Sequence, residues 1–305
     1  MENYLLTVVG PTAIGKTALG IKLANHYNTE IISADSRQFF KEMAIGTAVP
    51  TTEELASAKH HFIQNKSIFD NYSVGHFERE GLELITDLFT KFENLIMVGG
   101  SGLYVDAIIK GLDYFPDVDP SIRESLNSKL EKEGITSLQE QLKELDPVSY
   151  SEIAIDNPHR LIRALEISIG AENPFSYYKN QEKPTRNFTP IKIGLKADRE
   201  IIYDRINRRV DIMVEEGLIE EARKVYPNKD LNALQTVGYR ELFAHFDGDI
   251  SLEFALEEIK KNTRRFAKRQ MTWFRKDENI LWFDYQIPFS DIISEIESYK
   301  NKIRK

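Results

Sequence analysis

Apolar residues in this chain come as short unbroken runs alternating with stretches of helical spacing, the pattern of strands buried on both faces between covering helices. Residues 5–9 form one such run, closed by Gly10. Residues 17–27 then carry Ala18, Leu19, Ile21, Leu23 and Ala24 at helical intervals, so strand, glycine turn, helix is predicted. A second short strand over 30–33 delivers Asp35 at its end, and a third over 95–98 delivers Gly99 and Gly100. Further along, 191–195 reads as a strand, 199–225 and 252–274 as long helices, and 280–283 as a late strand. The predicted class is α/β: a P-loop-type parallel sheet covered by helices, with ligands beyond the carboxyl ends of its strands.

Between these stretches the pattern changes. Pro116 and Pro120 break the chain, and amphipathic helical spacing follows around 122–130, 138–145 and 159–169. A small all-helical insertion over 111–184 is therefore expected, with 1–110 and 185–290 forming the core and 291–305 a helical tail. No repeat or low-complexity tract stands out.

Composition narrows the chemistry. The 305 residues contain no cysteine, which excludes disulfides, thiol nucleophiles and cysteine-ligated metal, so any metal must be held by oxygen. No apolar run reaches 18 residues, and the stretch over 4–10 is too short and too soon followed by Lys16 to act as a signal peptide. A cytoplasmic protein with no membrane association, acting as a monomer, is expected. Net charge is −8, which argues against a polyanion partner. The local distribution argues for one: Lys260, Lys261, Arg264, Arg265, Lys268, Arg269, Arg275 and Lys276 crowd a short stretch that contains no acid.

Gly10-Pro11-Thr12-Ala13-Ile14-Gly15-Lys16-Thr17 matches G-x-x-x-x-G-K-[ST] between a predicted strand and a predicted helix, the context that motif needs. Its glycines let backbone N–H groups point into a concavity, the helix N-terminus adds positive potential, and Lys16 adds a full charge. A di- or triphosphate is the expected ligand, with the Thr17 hydroxyl offered to a Mg²⁺ that bridges phosphate oxygens. The competing reading is a glycine turn with a solvated lysine. The loop alone does not choose between ATPase, GTPase, kinase and diphosphate-releasing transferase. Against a GTPase, Asn65-Lys66 and Asn228-Lys229 both lack the aspartate two positions beyond the lysine. Against a typical ATPase, the run over 95–98 ends in glycines rather than aspartate.

Further blocks follow in order: Ser33-Ala34-Asp35-Ser36-Arg37-Gln38, Met43-Ala44-Ile45-Gly46-Thr47-Ala48-Val49-Pro50, His60-His61-Phe62, Tyr72-Ser73-Val74 and Val98-Gly99-Gly100-Ser101-Gly102-Leu103-Tyr104. After them come Arg160-Leu161-Ile162-Arg163-Ala164-Leu165-Glu166, Asp198-Arg199, Arg205-Ile206-Asn207-Arg208-Arg209-Val210-Asp211, Val237-Gly238-Tyr239-Arg240-Glu241 and the stretch from Thr263 to Arg275. Together with the phosphate loop, they make the sequence resemble the tRNA dimethylallyltransferase family over nearly its whole length. The resemblance implies two substrates, dimethylallyl diphosphate in the phosphate loop and a tRNA anticodon stem-loop. N6 of adenine 37, in tRNAs reading codons that begin with U, attacks C1 of the donor and releases diphosphate.

Asp35 matches the family's catalytic aspartate, and a carboxylate that accepts the amino proton suits a nucleophile whose lone pair is delocalised into the purine ring. The other reading of Asp35 is a magnesium-linked or helix-capping residue. Arg209 matches the diphosphate-binding arginine, with Arg205 one turn earlier. It would neutralise the leaving group together with Lys16 and the ion on Thr17. Ser101 stands where the family has threonine and keeps the hydroxyl. Resemblance assigns Asp35, Ser36, Arg37 and Gln38 to the target nucleotide. It assigns His159, Arg160, Leu161, Ile162 and Arg163, with Gln235, Thr236, Val237, Gly238, Tyr239 and Arg240, to neighbouring nucleotides, and Arg123 to the loop. Arg264, Lys268 and Arg269 are expected to meet phosphates. Phe266, Trp273 and Phe274 read as core rather than as base-stacking residues, because they recur at helical spacing with Ile259.

The chain departs from the family pattern at Ala154-Ile155-Asp156-Asn157, where His-Pro-Asn-Asp is usual, at Ala171-Glu172 in place of Thr-Gly, and at Val49 in place of lysine. Two rival readings remain open from sequence: a transferase that prenylates free adenine nucleotides, and a non-catalytic RNA-binding protein with a nucleotide-sensing loop.

Overall fold

The computed structural model describes residues 2–304. Six strands form one sheet: β1 (Tyr4–Val9), β2 (Ile31–Ser33), β3 (His60–His61), β4 (Asn94–Val98), β5 (Thr189–Lys196) and β6 (Ile280–Asp284). Their order is β3-β2-β4-β1-β5-β6 and every neighbouring pair is parallel. The unbroken apolar runs have a direct cause. Tyr4, Leu6 and Val8 of β1 enter one hydrophobic cluster while Leu5 and Val9 enter another on the opposite face. β2 splits its residues the same way, Ile31 to one side and Ile32 to the other. Both faces are thus closed to water, which removes any place for alternating polar residues.

Helices α1 (Lys16–Tyr27), α2 (Thr52–Ser57) and α3 (Val74–Leu88) connect the first four strands, and α4 (Gly102–Lys110) follows β4. The chain then forms α5 (Pro120–Glu133), α6 (Ile135–Leu145), α7 (Pro147–Glu152), α8 (Pro158–Gly170) and α9 (Phe175–Tyr178) before β5. After it come α10 (Arg199–Glu215), α11 (Leu218–Val225), α12 (Tyr239–Phe246), α13 (Leu252–Phe274) and, past β6, α14 (Phe289–Ile303). Gly111–Thr185 is one compact unit and the rest of the described chain is the other.

Two expectations are corrected here. The long helix through 199–225 is interrupted at Gly217, whose φ of 104° lies in the left-handed region, so α10 and α11 are separate. The stretch 291–305 is no tail: Ile292 and Ile296 of α14 are buried in the cluster that also holds Leu6 and Val8. Lys305 itself lies outside the described residues. The helical unit has its own core, built from Leu126, Leu138, Leu142, Leu161, Ile162 and Leu165.

Deleting the buried side chain in Ile296→Ala should cost roughly 2–5 kcal/mol of stability. The change is read as a lowered urea midpoint at unaltered slope. A midpoint shift equivalent to less than about 0.5 kcal/mol, the size of an ordinary surface effect, would show that α14 is dispensable.

Candidate active site

The site sits where the strands end. β1 runs straight into Gly10, where the chain must turn close against β5: a Cβ there would lie 2.7 Å from the Leu195 carbonyl oxygen, and φ is 144°. Ala13 takes φ of 63° and Gly15 φ of 107°, so the loop turns back into α1 with N–H groups on its inner side. Among the described residues, the amides of Ala13, Ile14, Gly15, Lys16 and Thr17 donate to no protein acceptor. The loop is fastened from behind instead. Arg205 Nε donates to the Ala13 carbonyl at 2.7 Å, Gln270 Oε1 accepts the Thr12 N–H at 2.8 Å, and Lys16 Nζ donates to the Pro11 carbonyl at 2.9 Å. Ile14 turns its side chain into the core.

Burial drives the pKa of Lys16 down from 10.5 to about 8; nearby Asp35 raises it and Arg209 lowers it further. These three residues therefore share one electrostatic environment although they come from three separate segments. The side chain of Arg209, on α10, makes no hydrogen bond among the described residues. Its pKa is lowered first by burial and then by repulsion from Arg205, with Glu54 acting in the opposite sense. Two arginines and a lysine held this close, without a carboxylate bonded to them, form a site for a multiply charged anion.

Asp35 follows β2. Its Oδ1 accepts the Arg37 N–H at 3.0 Å, which fixes the carboxylate plane, while Oδ2 takes no hydrogen bond from any described residue. No helix begins here for Asp35 to cap, so this bond closes a turn, and one carboxylate oxygen is left open. Ser101, after β4, accepts the Ser36 N–H at 3.2 Å and donates to the Ser36 hydroxyl at 3.1 Å. Arg37 turns away from the phosphate loop and donates to the carbonyls of Asn232 and Ala233, both at 3.0 Å. Gln38 Nε2 binds the carbonyls of Thr47 and Ala48. Both side chains brace the loops that border the site.

A cleft of roughly 320 Å³ joins these parts. Thr12, Asp35, Ser36, Ser101 and Arg209 line it together with Ile206, Val210, Met213, Leu218, Val237 and Ile259. A phosphate-binding side and an apolar wall thus meet in one cavity. Gln235, Thr236, Val237, Gly238, Arg240 and Arg269 border it as well, so the structure brings these expected residues to the phosphate loop. Tyr239 is corrected: its side chain is fully buried, donates to Glu221 and packs against Gly46, where a Cβ would lie 2.7 Å from the ring.

In the helical unit, His159 and Arg160 are exposed in the first turn of α8, whose N-terminus Asn157 caps by accepting both their N–H groups. The departure from the family motif before this helix therefore keeps a competent cap. Leu161 and Ile162 are corrected, since both are buried in the unit's core and present no side chain to a ligand. Arg123 binds both oxygens of Glu166 at 3.0 and 2.7 Å, and Arg163 binds the same carboxylate at 2.9 Å. These arginines are held in place by the carboxylate between them.

The basic stretch on α13 divides. Lys260 pairs with Asp211 and Glu257 and Lys261 with Glu258, so these two charges are neutralised, while Arg264 and Arg265 bond the neutral amides of Asn207 and Asn262. The side chains of Lys268, Arg275 and Lys276 are exposed and make no hydrogen bond or ion pair among the described residues. Arg269 lies 5.7 Å from the Phe266 ring centroid. The core assignment holds for Phe274 and fails for Phe266 and Trp273, which are 37% and 39% exposed. Sequence reasoning missed Arg205 and Gln270 as fasteners of the phosphate loop. It also missed Glu221, which binds the amides of Ile45 and Gly46. No periodicity marks a side chain whose role is to bond a distant backbone group.

The donor set suits a magnesium ion of one kind only. Among the described residues no cluster of three His, Cys, Asp or Glu is present, while the Thr17 hydroxyl at the start of α1 bonds no protein group. That arrangement fits an ion taking most of its ligands from phosphate oxygens and water, not one caged by protein.

Because Lys16 loses its proton near pH 8, affinity for an alkyl diphosphate should fall as pH rises through that value, by up to about tenfold per pH unit. Binding of the anion favours the charged lysine, so protons should be taken up on binding at pH 8. Calorimetry in buffers of different ionisation enthalpy measures this, and proton release there would contradict the assignment.

Comparison with known proteins accords with this geometry. The family model described as IPP transferase matches residues 38–277. A tRNA dimethylallyltransferase of Flavobacterium johnsoniae is 62% identical over 99% of this chain and 100% of its own length; one from Christiangramia forsetii is also 62% identical over 99% and 100%. The crystal structure of the tRNA isopentenylpyrophosphate transferase from Bacillus halodurans superposes with a TM-score of 0.72 at 38% identity, covering 99% of this chain and 96% of that one. A eukaryotic dimethylallyltransferase described as acting on tRNA gives 0.76 at 25% identity, covering 93% and 74%. By sequence and by fold alike, this chain belongs to the IPP transferase family.

Proposed function

We propose that this protein transfers a dimethylallyl group from dimethylallyl diphosphate to N6 of adenine 37 in tRNAs reading codons that begin with U, releasing diphosphate. The observation that carries this reading is the single cleft in which a phosphate loop, a carboxylate with an open oxygen and an apolar wall meet. An apolar wall beside the phosphate loop suits a prenyl donor, whose hydrocarbon it takes out of water.

The donor's diphosphate lies against the amides from Ala13 to Thr17 and between Lys16 and Arg209, with its five-carbon chain against residues such as Val210 and Ile259. As the allylic C–O bond stretches, negative charge grows on the diphosphate, and the two cations are already desolvated and aimed at it. The amino nitrogen of adenine attacks C1 while Asp35 Oδ2 accepts its proton. The new C–N bond replaces the broken C–O bond, and the proton ends on the carboxylate. Ser101 and Ser36 hold the edge of the site beside Asp35. When bound through Thr17, a magnesium ion adds further neutralisation of the leaving diphosphate.

The target base must be swung out of the anticodon stack to reach a recessed carboxylate. Cations on the exposed half of α13, with Arg269 and Arg240 at the cleft border, supply phosphate contacts, and exposed Phe266 offers a ring for stacking. The protein works in the cytoplasm as a monomer.

Supplying labelled dimethylallyl diphosphate with either tRNA or free adenine nucleotides tests the acceptor. Label is expected in tRNA only, and transfer to AMP alone would replace this reading by nucleotide prenylation. Asp35→Asn keeps an oxygen for the Arg37 N–H but cannot take the proton. Transfer should fall roughly 10²-fold or more with donor affinity unchanged. Arg209→Ala should weaken donor binding and slow transfer together. If tRNA affinity alone changed, its assignment to the diphosphate would fail.

A further inference from the structure

Gln270 has no part in the chemistry just described, yet it is among the few buried polar residues of the protein, only 5% exposed. It projects from α13 between two loops that are far apart in sequence. Its Oε1 accepts the N–H of Thr12 at 2.8 Å, and its Nε2 donates to the carbonyl of Gly100 at 3.0 Å. The contact on the second side is close: a Cβ on Gly100 would sit 2.3 Å from Nε2 and would push the carboxamide aside. The same Cβ would be 3.5 Å from Lys16 Nζ, so this junction lies beside the tip of the phosphate-loop lysine.

On one side of Gln270 stands Thr12, the loop residue whose amide is engaged while those from Ala13 to Thr17 stay open. On the other side Gly100 leads directly to Ser101, which bonds Ser36 next to Asp35. A continuous run of hydrogen bonds and peptide links therefore joins the diphosphate loop to the carboxylate edge, and the Gln270 carboxamide is its side-chain crosspiece between the loops that follow β1 and β4. We propose that Gln270 is a positioning residue for group transfer, setting the separation between the bound diphosphate and the Ser101–Asp35 edge where the acceptor nitrogen must lie. This rests on the functional reading above and adds to it a residue that touches neither substrate.

The chemistry of the crosspiece is specific. One end must accept from an N–H and the other must donate to a C=O, which a carboxamide does and neither a carboxylate nor a hydrocarbon can. A carboxylate at this place would face the Gly100 carbonyl without a proton to offer and would add a negative charge beside Lys16. Loss of registration acts on the reaction rather than on recruitment, because a displacement of about 1 Å between reacting groups costs up to 10²-fold in rate while leaving surface contacts intact.

The experiment compares the full-length wild type with Gln270→Leu, Gln270→Glu and Gly100→Ala, the last displacing the carboxamide from the opposite side. Steady-state transfer from dimethylallyl diphosphate to tRNA is followed together with thermal midpoints. For Gln270→Leu, kcat is expected to fall 10- to 100-fold with KM for tRNA changed by less than about twofold. Gly100→Ala should show the same split, and the double variant Gly100→Ala/Gln270→Leu should be little worse than either single change, since both break one link. Gln270→Glu should add a weakened KM for the donor. Additive effects in the double variant, a kcat within twofold of wild type for either single change, or a loss that merely follows the folded fraction would each overturn the proposal. If Gln270→Leu does not fold, Gly100→Ala decides by the same split. A wild-type protein that transfers no label to tRNA at all would instead remove the functional reading beneath it.

Discussion

The whole site depends on keeping a loop of bare peptide groups in an unfavourable shape. A phosphate cradle works because its N–H groups point inward and find no partner within the protein, and unsatisfied amides are a cost that a free loop would relieve by collapsing. Here that collapse is opposed from outside the loop. Close approach at Gly10 sets the backbone against β5, Arg205 holds the carbonyl of left-handed Ala13, and Gln270 holds the amide of Thr12. Arg205 and Gln270 come from helices late in the chain. The binding site is thus a property of the finished core and not of its own eight residues.

The same constraint explains how charge is arranged. Lys16, Arg205 and Arg209 repel one another, and burial weakens the hold of Lys16 and Arg209 on their protons. Such a cluster is destabilising in isolation and becomes favourable only against a polyanion. The carboxylate that would most simply relieve it, Asp35, is turned by the Arg37 amide so that one oxygen remains open to the acceptor side. In the helical unit the opposite solution is used, with Glu166 neutralising both Arg123 and Arg163 and fixing their guanidinium planes. One group of cations is left unpaired to meet an anion, and the other is paired so as to be held rigid.

Polar residues on a helix thus divide by surroundings that the helix itself does not contain. Along α13, Lys260, Lys261 and Arg264 meet partners supplied by α10 or by their own preceding turn, while Lys268, with Arg275 and Lys276 just past the end of the helix, faces outward. The aromatic residues divide as well: Phe274 enters the core, whereas Phe266 borders the cleft and Trp273 bonds Asp106 near Gly102. Spacing alone treated all three alike, because periodicity records which face of a helix is turned inward and not how far each neighbour extends over it.

By itself the sequence determined five of the six strands, because a segment buried on both faces admits mainly apolar residues, and it marked the phosphate loop by its glycine and lysine spacing, whereas the edge strand β3, His60–His61, carries no apolar run to mark it. The blocks around Asp35, Ser101 and Arg209 were legible only through their match to the motifs of a known family, since neither periodicity nor local chemistry singles these residues out. Only the tertiary structure decided that Tyr239, Leu161 and Ile162 are core, that α14 completes the sheet's packing, and that Arg205 and Gln270 fasten the loop. These are long-range matters: the partners of Gln270 lie 258 and 170 residues away along the chain. Hydrophobic periodicity carries the burial of a residue's own face, whereas a hydrogen bond to a remote backbone group leaves no mark on its sequence neighbours.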